Sequence, residues 1–185
     1  MFKAAIFDLD GVLTDTAGLH EQAWRDAVYP MPLTHEDYET YFDGRSREAG
    51  LYSFLRAQLT EANEAYCNWL MEKKAKRYEQ LLTEQPIKIY PDTAKMILSM
   101  FLEGKPLAVA SSSKMAPKVM EVTKLAPMFA FISAGEAPKP KIYEIAAEKM
   151  GVPISDCIIF EDSRDAVTLA ISTGAKYVTY MRKDR

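Results

Sequence analysis

The chain has 185 residues, of which 48% are hydrophobic and 26% are charged, and this composition is typical of a folded globular protein and excludes a disordered one. Its net charge of −3 gives no basic surface of the kind that binds nucleic acid or acidic membranes, so we expect neither partner. Its two cysteines fit neither a disulfide framework nor a zinc site, and no segment approaches the ~20 apolar residues of a membrane helix, so we expect a cytoplasmic protein.

The first predicted strand ends in two acidic residues. An apolar run over residues 4–7 leads directly into the sequence FDLDGVLTDT at 7–16. A buried carboxylate is unfavourable unless it is paired, hydrogen-bonded or bound to a metal. Residues two apart in a strand point the same way, so we predict that Asp8 and Asp10 face one point in space.

Residues 15–87 have a different pattern from the rest of the chain. Helical spacing dominates there, and it predicts helices over residues 19–28, 35–42, 47–59 and 60–82. We predict an all-helical insert, or cap, over residues 15–87. It interrupts a core that is formed by residues 1–14 and 88–185.

One lysine of the longest predicted helix interrupts an apolar stripe. Tyr66, Leu70, Tyr78 and Leu82 lie on one face at helical spacing, and Lys74 lies on the same face between them. A lysine in such a stripe either extends its charge to the edge of the apolar surface or is directed at a ligand. The residues alone leave both interpretations open.

From residue 88 onward, short apolar runs alternate with helical patterns. The predicted strands cover residues 106–110, 128–133, 157–160 and 176–180, and the predicted helices cover 93–103, 114–124, 141–150 and 163–174. Strands that alternate with helices of this length predict a parallel sheet with helices on both faces. The predicted fold class is therefore α/β.

Polar residues follow three of the predicted strands. Asp8 and Asp10 follow the first strand, serines 111–113 follow another, and Glu161 and Asp162 end a third. Because ligands bind outside the carboxyl ends of parallel strands, we expect these side chains to converge. Asp8 and Asp162 would supply oxygen ligands for Mg²⁺, and a serine hydroxyl with the N–H groups after it suits a phosphate. This combination suggests phosphoryl transfer.

The order of these motifs resembles the haloacid dehalogenase-like (HAD) superfamily. FDLDGVLTDT is similar to that family's first motif, D-x-D-G-[TV], and VASSSK (109–114) and IIFEDS (158–163) follow in the family's order. The β-phosphoglucomutase-like branch, with its sugar-phosphate phosphatase relatives, is the most similar. The resemblance implies a Rossmann-like parallel sheet core with a helical cap inserted after the first strand. A receiver-type phosphoacceptor domain also uses an aspartyl-phosphate and Mg²⁺, but it has no large helical insert at this position.

The resemblance implies separate roles for the acidic residues. Asp8 would be the nucleophile that forms an aspartyl-phosphate. Asp10 would be the general acid and base, which protonates the leaving oxygen and later activates water or a hydroxyl. Mg²⁺ would be held by Asp8, by the main-chain carbonyl of Asp10 and by Asp162, with Glu161 close by.

The resemblance also implies a phosphate-binding loop and a lysine beside the nucleophile. Ser111 and the N–H of Ser112 would hold the transferring phosphate. The family carries its lysine in a K-P-x-P-D-[IV]-[FY] motif, whereas residues 137–143 here read APKPKIY. In strict register the lysine position holds Ala137. We therefore predict that Lys139, two residues further on, is the catalytic and phosphate-binding lysine.

Three residues of the cap are candidate substrate contacts by the same resemblance. DTAGLHEQAW (15–24) is similar to the hinge and first cap helix of the β-phosphoglucomutase branch, which points to His20. GRSRE (44–48) resembles a loop that contacts a non-reacting phosphate, which points to Arg47. The position of Lys74 resembles that of a phosphate-contacting lysine.

Three functions stay open at this point. The leading hypothesis is a Mg²⁺-dependent phosphatase of small phosphorylated metabolites, with sugar phosphates as the favoured class. The second is a β-phosphoglucomutase, which converts β-glucose 1-phosphate to glucose 6-phosphate, because of His20, Arg47 and Lys74. The third is a catalytically impaired binding or regulatory protein, because of Ala137. A monomer is the family-level expectation for the oligomeric state.

Overall fold

The computed structural model describes residues 1–43, 45–61 and 63–181. The chain divides into two compact units. The first, which we call the α/β unit, consists of Met1–Thr16 and the chain from Ile87 onward. The second, which we call the helical unit, consists of Ala17–Pro86.

The helices and strands follow one another as the hydrophobic patterns predict, with one additional strand pair. In chain order they are β1 (Ala4–Phe7), β2 (Thr14–Asp15), α1 (Ala17–Val28), α2 (His35–Tyr41), α3 (Arg47–Ala57), α4 (Glu64–Glu84), β3 (Lys88–Ile89), α5 (Pro91–Leu102), β4 (Leu107–Val109), α6 (Ala116–Val122), β5 (Phe131–Ile132), α7 (Lys141–Lys149), β6 (Cys157–Glu161), α8 (Arg164–Ser172) and β7 (Tyr177–Tyr180). Within the described residues, no helix is both long enough and apolar enough to cross a membrane.

Five parallel strands form the main sheet, in the order β5-β4-β1-β6-β7. The central strand, β1, is fully buried, as the apolar sequence AAIF favours for a strand that is covered on both faces. Its last residue, Phe7, pairs with Val109 of β4 and with Phe160 of β6. The carboxyl ends of these three strands are therefore level, and the residues that follow them lie at one edge of the sheet. The predicted α/β class is confirmed.

Helix α7 illustrates how a helix is fixed against this sheet. Ile142, Tyr143 and Ala146 form its buried stripe, and they belong to the same apolar cluster as Ile6 of β1 and Ile159 of β6. Removal of this apolar surface from water contributes about 25 cal/mol per Å². The stripe therefore sets which face of α7 packs against the sheet.

The helical unit has a core of its own. A single apolar cluster contains one buried residue from each of α1, α3 and α4 and the residue that directly follows α2. These residues are Trp24, Phe54, Leu70 and Phe42. Aromatic pairs within the cluster are in contact, with the ring centroids of Trp24 and Phe42 4.5 Å apart. The helical unit thus has an apolar cluster to which α1, α3, α4 and the end of α2 all contribute.

A short antiparallel ribbon lies where the chain leaves and re-enters the α/β unit. Thr14 of β2 pairs with Ile89 of β3, and Asp15 pairs with Lys88. The Lys88 ammonium group also lies 3.6 Å from a carboxylate oxygen of Asp15. This ribbon could not be predicted from the sequence, because strands of two residues are too short to show a periodicity.

Candidate active site

The loop after β1 carries the first two acidic residues. Asp8 is almost fully buried, with 8% of its surface exposed, and Asp10 is partly buried. The strand has already ended at this point, and the chain turns back so that the N–H of Thr14 donates to the Leu9 carbonyl at 3.0 Å. The strand alternation that we expected to align Asp8 with Asp10 therefore does not apply to them.

A buried hydroxyl orients Asp10. Thr16 is fully buried, and its Oγ1 donates a hydrogen bond to Oδ1 of Asp10. This bond restricts the rotation of the Asp10 carboxyl group, which a residue that must transfer protons at a defined position requires. The same loop thus holds both the candidate nucleophile and an oriented second acid.

Three acidic side chains meet at the carboxyl edge of the sheet. Carboxylate oxygens of Asp8, Glu161 and Asp162 all lie within 4.8 Å of one another. Glu161 is the last residue of β6 and is fully buried, and Asp162 follows it and is partly buried. Gly11 has a φ of +79°, and a Cβ atom there would collide with the Asp162 carboxylate, so glycine permits this approach. These three residues, which we call the acidic cluster, were all predicted as metal ligands.

Lys139 lies inside the acidic cluster. Its Nζ is 3.2 Å from Oδ1 of Asp8 and 2.7 Å from Oε1 of Glu161. Ala137, which holds the lysine position in strict register, instead packs against the apolar cluster of the sheet. Lys141 is exposed and forms an ion pair with Glu144, at 2.8 Å on α7. Of these two lysines, the structure brings Lys139 to the candidate nucleophile.

Burial and charge shift the pKa values of these groups in opposing directions. Burial raises the pKa of Asp8 well above its usual value, the neighbouring Glu161 raises it further, and Lys139 opposes both effects. Burial likewise raises the pKa of Glu161, against the opposing effect of Lys139. Burial alone would lower the pKa of Lys139, but the carboxyl groups of Asp8 and Glu161 outweigh it and raise that pKa. The ammonium group is therefore charged at neutral pH, and the two carboxyl groups favour a further cation.

The two carboxylate oxygens of Glu161 differ in their hydrogen bonds. Oε1 of Glu161 accepts hydrogen bonds from Lys139 and, at 2.5 Å, from the Tyr143 hydroxyl. Oε2 of Glu161 is buried and has no hydrogen-bond partner among the described residues. A buried oxygen in this state is unfavourable unless a cation or water satisfies it. A donor set made only of carboxylate oxygens fits a hard cation such as Mg²⁺.

The serines that follow β4 are held by hydrogen bonds. The N–H of Ser111 donates to Oγ of Ser133 at 2.8 Å, and the Ser133 hydroxyl donates back to the Ser111 carbonyl at 2.7 Å. The N–H of Ser113 donates to Oγ of Ser111 at 3.1 Å. Ser111 is buried and Ser112 is exposed. These bonds fix the backbone of residues 111–113, which we call the serine loop.

Gly135 supports the serine loop from the following connection. It has a φ of +71°, and a Cβ atom there would lie 2.8 Å from the Ser112 carbonyl oxygen and 3.0 Å from the Lys114 nitrogen. Only a residue without a side chain allows the two segments to approach this closely. The shape of the loop therefore depends on residues from two different connections.

Sequence analysis missed three residues of this region. Ser133 carried a usable signal, because it ends a predicted strand at the same edge of the sheet as Ser111. Tyr143 lies in the first turn of the helix predicted over residues 141–150, but nothing in the sequence indicates the direction of its hydroxyl. Thr16 belongs to the quoted motif, but its bond to Asp10 depends on a turn that the sequence does not reveal.

The helical unit brings His20 and Lys74 together. Lys74 is 4% exposed, and its Nζ lies 2.8 Å from Nδ1 of His20. The His20 ring stacks on Tyr78 at a centroid distance of 4.1 Å, and the Lys74 ammonium group lies 4.6 Å from the centroid of that same ring. Because its side chain is buried, Lys74 does not extend to the edge of the apolar stripe. It belongs instead to a polar group within the unit.

Arg47 lies at a different place in the helical unit. It is the first residue of α3 and is exposed, next to Ser46, whose side chain caps the helix by accepting from the Ala49 N–H. Gly44, the first residue of the GRSRE motif, lies outside the described residues. The structure thus gives Arg47 an accessible position at a helix start but no contact with the other candidate residues of the cap.

The sequence profile described as "Hydrolase: haloacid dehalogenase-like hydrolase" matches residues 2–172. The chain belongs to the haloacid dehalogenase-like hydrolase family. This confirms the resemblance that the three motifs indicate, and with it the enzyme class: the protein is a HAD-type enzyme of the phosphatase and phosphotransferase group.

The chain is also similar to individual proteins in sequence and in structure. β-Phosphoglucomutase from Bacillus subtilis strain 168 is 31% identical over 181 residues, which cover 93% of this chain and 80% of that protein. A phosphorylated carbohydrates phosphatase from Thermotoga maritima is 27% identical over 186 residues, which cover 95% and 83% of the two chains. The crystal structure of CbbY from Rhodobacter sphaeroides in complex with phosphate matches with a TM-score of 0.86 at 23% identity, over 99% of this chain and 88% of that one. This last likeness shows the fold.

The hypothesis of a catalytically impaired protein loses its basis. It depended on the absence of a lysine at Ala137, and Lys139 contacts Asp8 from the same loop. Within the HAD family the remaining alternatives are a phosphatase and a mutase.

Proposed function

We propose that this HAD enzyme is a Mg²⁺-dependent phosphatase of small phosphorylated metabolites, with sugar phosphates as the favoured substrates, and that it acts through a phosphorylated Asp8. The observation that carries the proposal is the buried Asp8 carboxylate in contact with Lys139 and within the acidic cluster. These contacts with a cation and with two further acids support a role for Asp8 in the reaction. We further propose a monomer in the cytoplasm.

In the first step, an oxygen of Asp8 attacks the phosphorus atom of the substrate. The bond from Asp8 to phosphorus forms, the ester bond breaks, and Asp10 donates its proton to the departing oxygen. Lys139 offsets the negative charge that builds up between the nucleophile and the phosphoryl oxygens. The hydrogen bond from Thr16 keeps the Asp10 carboxyl group in one orientation.

In the second step, water attacks the phosphorus atom of phospho-Asp8. Asp10, now ionised, accepts a proton from this water, and the bond between phosphorus and Asp8 breaks to release inorganic phosphate. The serine loop, with the Ser111 hydroxyl and the Ser112 N–H, holds the phosphoryl group in both steps. Hydrogen bonds within the loop support this role because they fix its backbone.

The cation would bind to Asp8, Asp162 and the main-chain carbonyl of Asp10, with Oε2 of Glu161 close by. When bound, Mg²⁺ would neutralise charge on the transferring phosphoryl group. The buried oxygen of Glu161 without a partner and the all-oxygen donor set support this assignment.

Two observations favour sugar phosphates as the substrate class. The relatives at 31% and 27% identity are named for a phosphoglucose and for phosphorylated carbohydrates. The helical unit also contains the buried Lys74 paired with the half-buried His20, which suits a phosphate or the hydroxyls of a sugar. We propose that His20 and Lys74, together with the exposed Arg47, contact the substrate.

A mutase is the second candidate, and the same pair of residues favours it. A β-phosphoglucomutase must hold the sugar while its two phosphorylated positions exchange roles, and a fixed cation on the helical unit would serve that purpose. This function predicts conversion of β-glucose 1-phosphate to glucose 6-phosphate, with stimulation by a sugar bisphosphate.

A panel of sugar phosphates in the presence of Mg²⁺ tests both functions. Release of phosphate and formation of glucose 6-phosphate are measured in parallel, for the wild type and for Asp8→Asn. Asp15→Asn is the matched control, because Asp15 is a nearby exposed acid with an ion pair on the ribbon.

We expect phosphate release by the wild type and by Asp15→Asn, and loss of release in Asp8→Asn. Formation of glucose 6-phosphate without release of phosphate would replace the phosphatase by the mutase. Wild-type turnover in Asp8→Asn would refute phosphorylation of Asp8 in either function.

A further inference from the structure

Tyr143 is a buried residue next to the candidate site for which the proposed reaction has no role so far. It lies in the first turn of α7, four residues after Lys139, and is fully buried. Its hydroxyl donates to Oε1 of Glu161 at 2.5 Å, and its ring centroid lies 5.8 Å from Nζ of Lys139. Burial and the negative charge of Glu161 raise the pKa of the phenol, so it remains a donor at neutral pH.

The two oxygens of the Glu161 carboxylate have different surroundings. Oε1 has two donors, the hydroxyl of Tyr143 and the ammonium group of Lys139. Oε2 is buried without a hydrogen-bond partner among the described residues. Two donors on a single oxygen restrict the orientation of the carboxylate, and the other oxygen stays available to a cation or to water.

Of the two donors, only the tyrosine belongs to Glu161 alone. Lys139 is shared between Glu161 and Asp8, at 2.7 Å and 3.2 Å, and a flexible lysine follows whichever carboxylate attracts it more strongly. The tyrosine is held by the packing of α7 on the sheet and has no second acceptor in the cluster.

We propose that Tyr143 is a positioning residue, whose hydroxyl fixes the carboxylate of Glu161 so that Oε2 faces a divalent cation in the acidic cluster. The inference rests on the Mg²⁺ site of the proposed function. Partners of a metal-binding carboxylate commonly set its orientation, and their removal lowers metal affinity by about 10- to 100-fold.

Cation selectivity separates positioning from a general loss of structure. Mg²⁺ requires nearly ideal octahedral geometry, whereas Ca²⁺ accepts a flexible arrangement of oxygens. A carboxylate that has lost its orienting donor should therefore bind Mg²⁺ less well than before, with a smaller loss for Ca²⁺. A change that merely loosened the fold or altered the charge would affect both cations to a similar extent.

The test is Tyr143→Phe in the full chain, because this change removes the hydroxyl and keeps the ring beside Lys139. Dissociation constants for Mg²⁺ and for Ca²⁺, each added alone, are measured by calorimetry and by the shift in Tm. Tyr177→Phe is the matched control, because its hydroxyl accepts a hydrogen bond from the N-terminal amine at 3.1 Å, away from the cluster.

We expect the Kd for Mg²⁺ to rise by about tenfold in Tyr143→Phe. The factor by which the Kd for Mg²⁺ rises should be at least three times the factor by which the Kd for Ca²⁺ rises. Tyr177→Phe should bind both cations like the wild type. Equal losses for the two cations, or a Kd for Mg²⁺ unchanged in Tyr143→Phe, would overturn the positioning role.

The outcome is distinguishable from failure of the proposed Mg²⁺ site itself. Asp162→Asn removes a member of the acidic cluster without touching Tyr143, and it should weaken Mg²⁺ binding on its own. If the wild type bound no Mg²⁺, or if Asp162→Asn bound it equally well, the metal site of the proposed function would be wrong. If Asp162→Asn weakened binding and Tyr143→Phe did not, the positioning role alone would be wrong.

Discussion

Asp8, Glu161 and Lys139 occupy one buried space, and the charge of each depends on the other two. The lysine compensates two carboxyl groups whose pKa values are raised by burial, and these carboxyl groups in turn keep the lysine charged. Removal of one member of such a group leaves the others buried without compensation, which costs about 3–5 kcal/mol.

Replacement of Lys139 by methionine keeps the aliphatic stem and removes the charge. We expect the free energy of unfolding at neutral pH, without divalent cations, to fall by about 3 kcal/mol, because Asp8 and Glu161 then lack a counter-charge. Activity should fall by about 10²- to 10³-fold, because a charge beside the transferring phosphoryl group is lost. Denaturant unfolding and steady-state kinetics measure the two effects.

Lys141→Met is the matched control for this change. Lys141 is exposed and forms an ion pair with Glu144 on the helix surface, and such solvent-screened pairs contribute little to stability. If Lys139→Met resembled Lys141→Met in stability and in activity, Lys139 would not be part of the site.

The raised pKa of Glu161 predicts how stability depends on pH. A carboxyl group whose pKa is higher in the folded protein than in the unfolded chain binds its proton more tightly when folded, so its contribution to stability falls as pH rises from about 4.3 towards the raised value. Glu161→Gln removes this contribution. The free energy of unfolding of Glu161→Gln, relative to the wild type without divalent cations, should therefore increase as the pH rises above about 4.3, the ordinary pKa of a glutamate.

Glu103→Gln provides a control of opposite sign. The hydrogen bond from Lys105 lowers the pKa of Glu103, so that residue stabilises the protein above its ordinary pKa and loses this effect as pH falls. The relative stability of Glu103→Gln should thus decrease as pH rises. Parallel pH curves for the two variants would contradict the raised pKa of Glu161.

At the scale of elements, the loops at the carboxyl edge of the sheet give the site its shape. The serine loop is held by Ser133 on one side and by the close approach of Gly135 on the other. A loop fixed in this way would bind phosphate, as proposed, without first having to be ordered. Its geometry should therefore be sensitive to a single added methyl group.

Gly135→Ala tests this sensitivity, with Gly104→Ala as its matched control. Both glycines have a φ of +71°, but a Cβ atom at Gly104 meets nothing within 4 Å, whereas at Gly135 it meets the backbone of the serine loop. Both variants should lose about 1–2 kcal/mol of stability from the backbone conformation. Only Gly135→Ala should also raise the Ki for inorganic phosphate, by about tenfold, in an inhibition assay. An unchanged Ki would separate the serine loop from phosphate binding.

Most elements could be predicted from the sequence, because their hydrophobic periods are long and regular. The apolar stripe on α4 predicted the buried face of that helix, including Lys74. The apolar run before Asp8 predicted the central strand. Helix α6 begins two residues later than predicted, because the serine loop uses the preceding residues for its own turns. Periodicity alone does not reveal such local hydrogen bonds.

The arrangement of the side chains in the candidate site was harder to predict from the sequence. Alignment with the family motif places Ala137 at the position of the catalytic lysine, so the motif alone did not show which lysine reaches Asp8. The path of the loop brings Lys139 there. Contacts between residues distant in the chain, such as Tyr143 with Glu161, have no signature of their own. The motifs predicted which strand ends hold the candidate site residues. The contacts between individual side chains could be seen only in the folded structure.

At the scale of the whole molecule, the two units have separate cores and carry different parts of the proposed function. All members of the acidic cluster belong to the α/β unit, and the pair of His20 and Lys74 belongs to the helical unit. Under the proposed function, the groups that react at phosphorus and the groups that contact the sugar would belong to different units. The same division predicts where a cation stabilises the protein.

Binding of Mg²⁺ alone should protect the α/β unit and leave the helical unit unchanged. A ligand present at 100 times its Kd stabilises the structure it binds by about 2.7 kcal/mol. We therefore expect slower amide hydrogen exchange in β1 and β6 on addition of Mg²⁺, and unchanged exchange in α1 and α4. Equal protection of α1 and α4 would contradict a site confined to the α/β unit.

The central claim is that the phosphoryl group passes through Asp8, and mass spectrometry of the quenched enzyme tests it most directly. The enzyme is mixed with Mg²⁺ and the best sugar phosphate of the panel, stopped with acid within the first turnover, and digested. We predict that the peptide containing Asp8 carries the mass of one phosphoryl group, that hydroxylamine removes it, and that Asp8→Asn lacks it. Rapid release of phosphate while the Asp8 peptide stays unmodified at every time point would contradict the account.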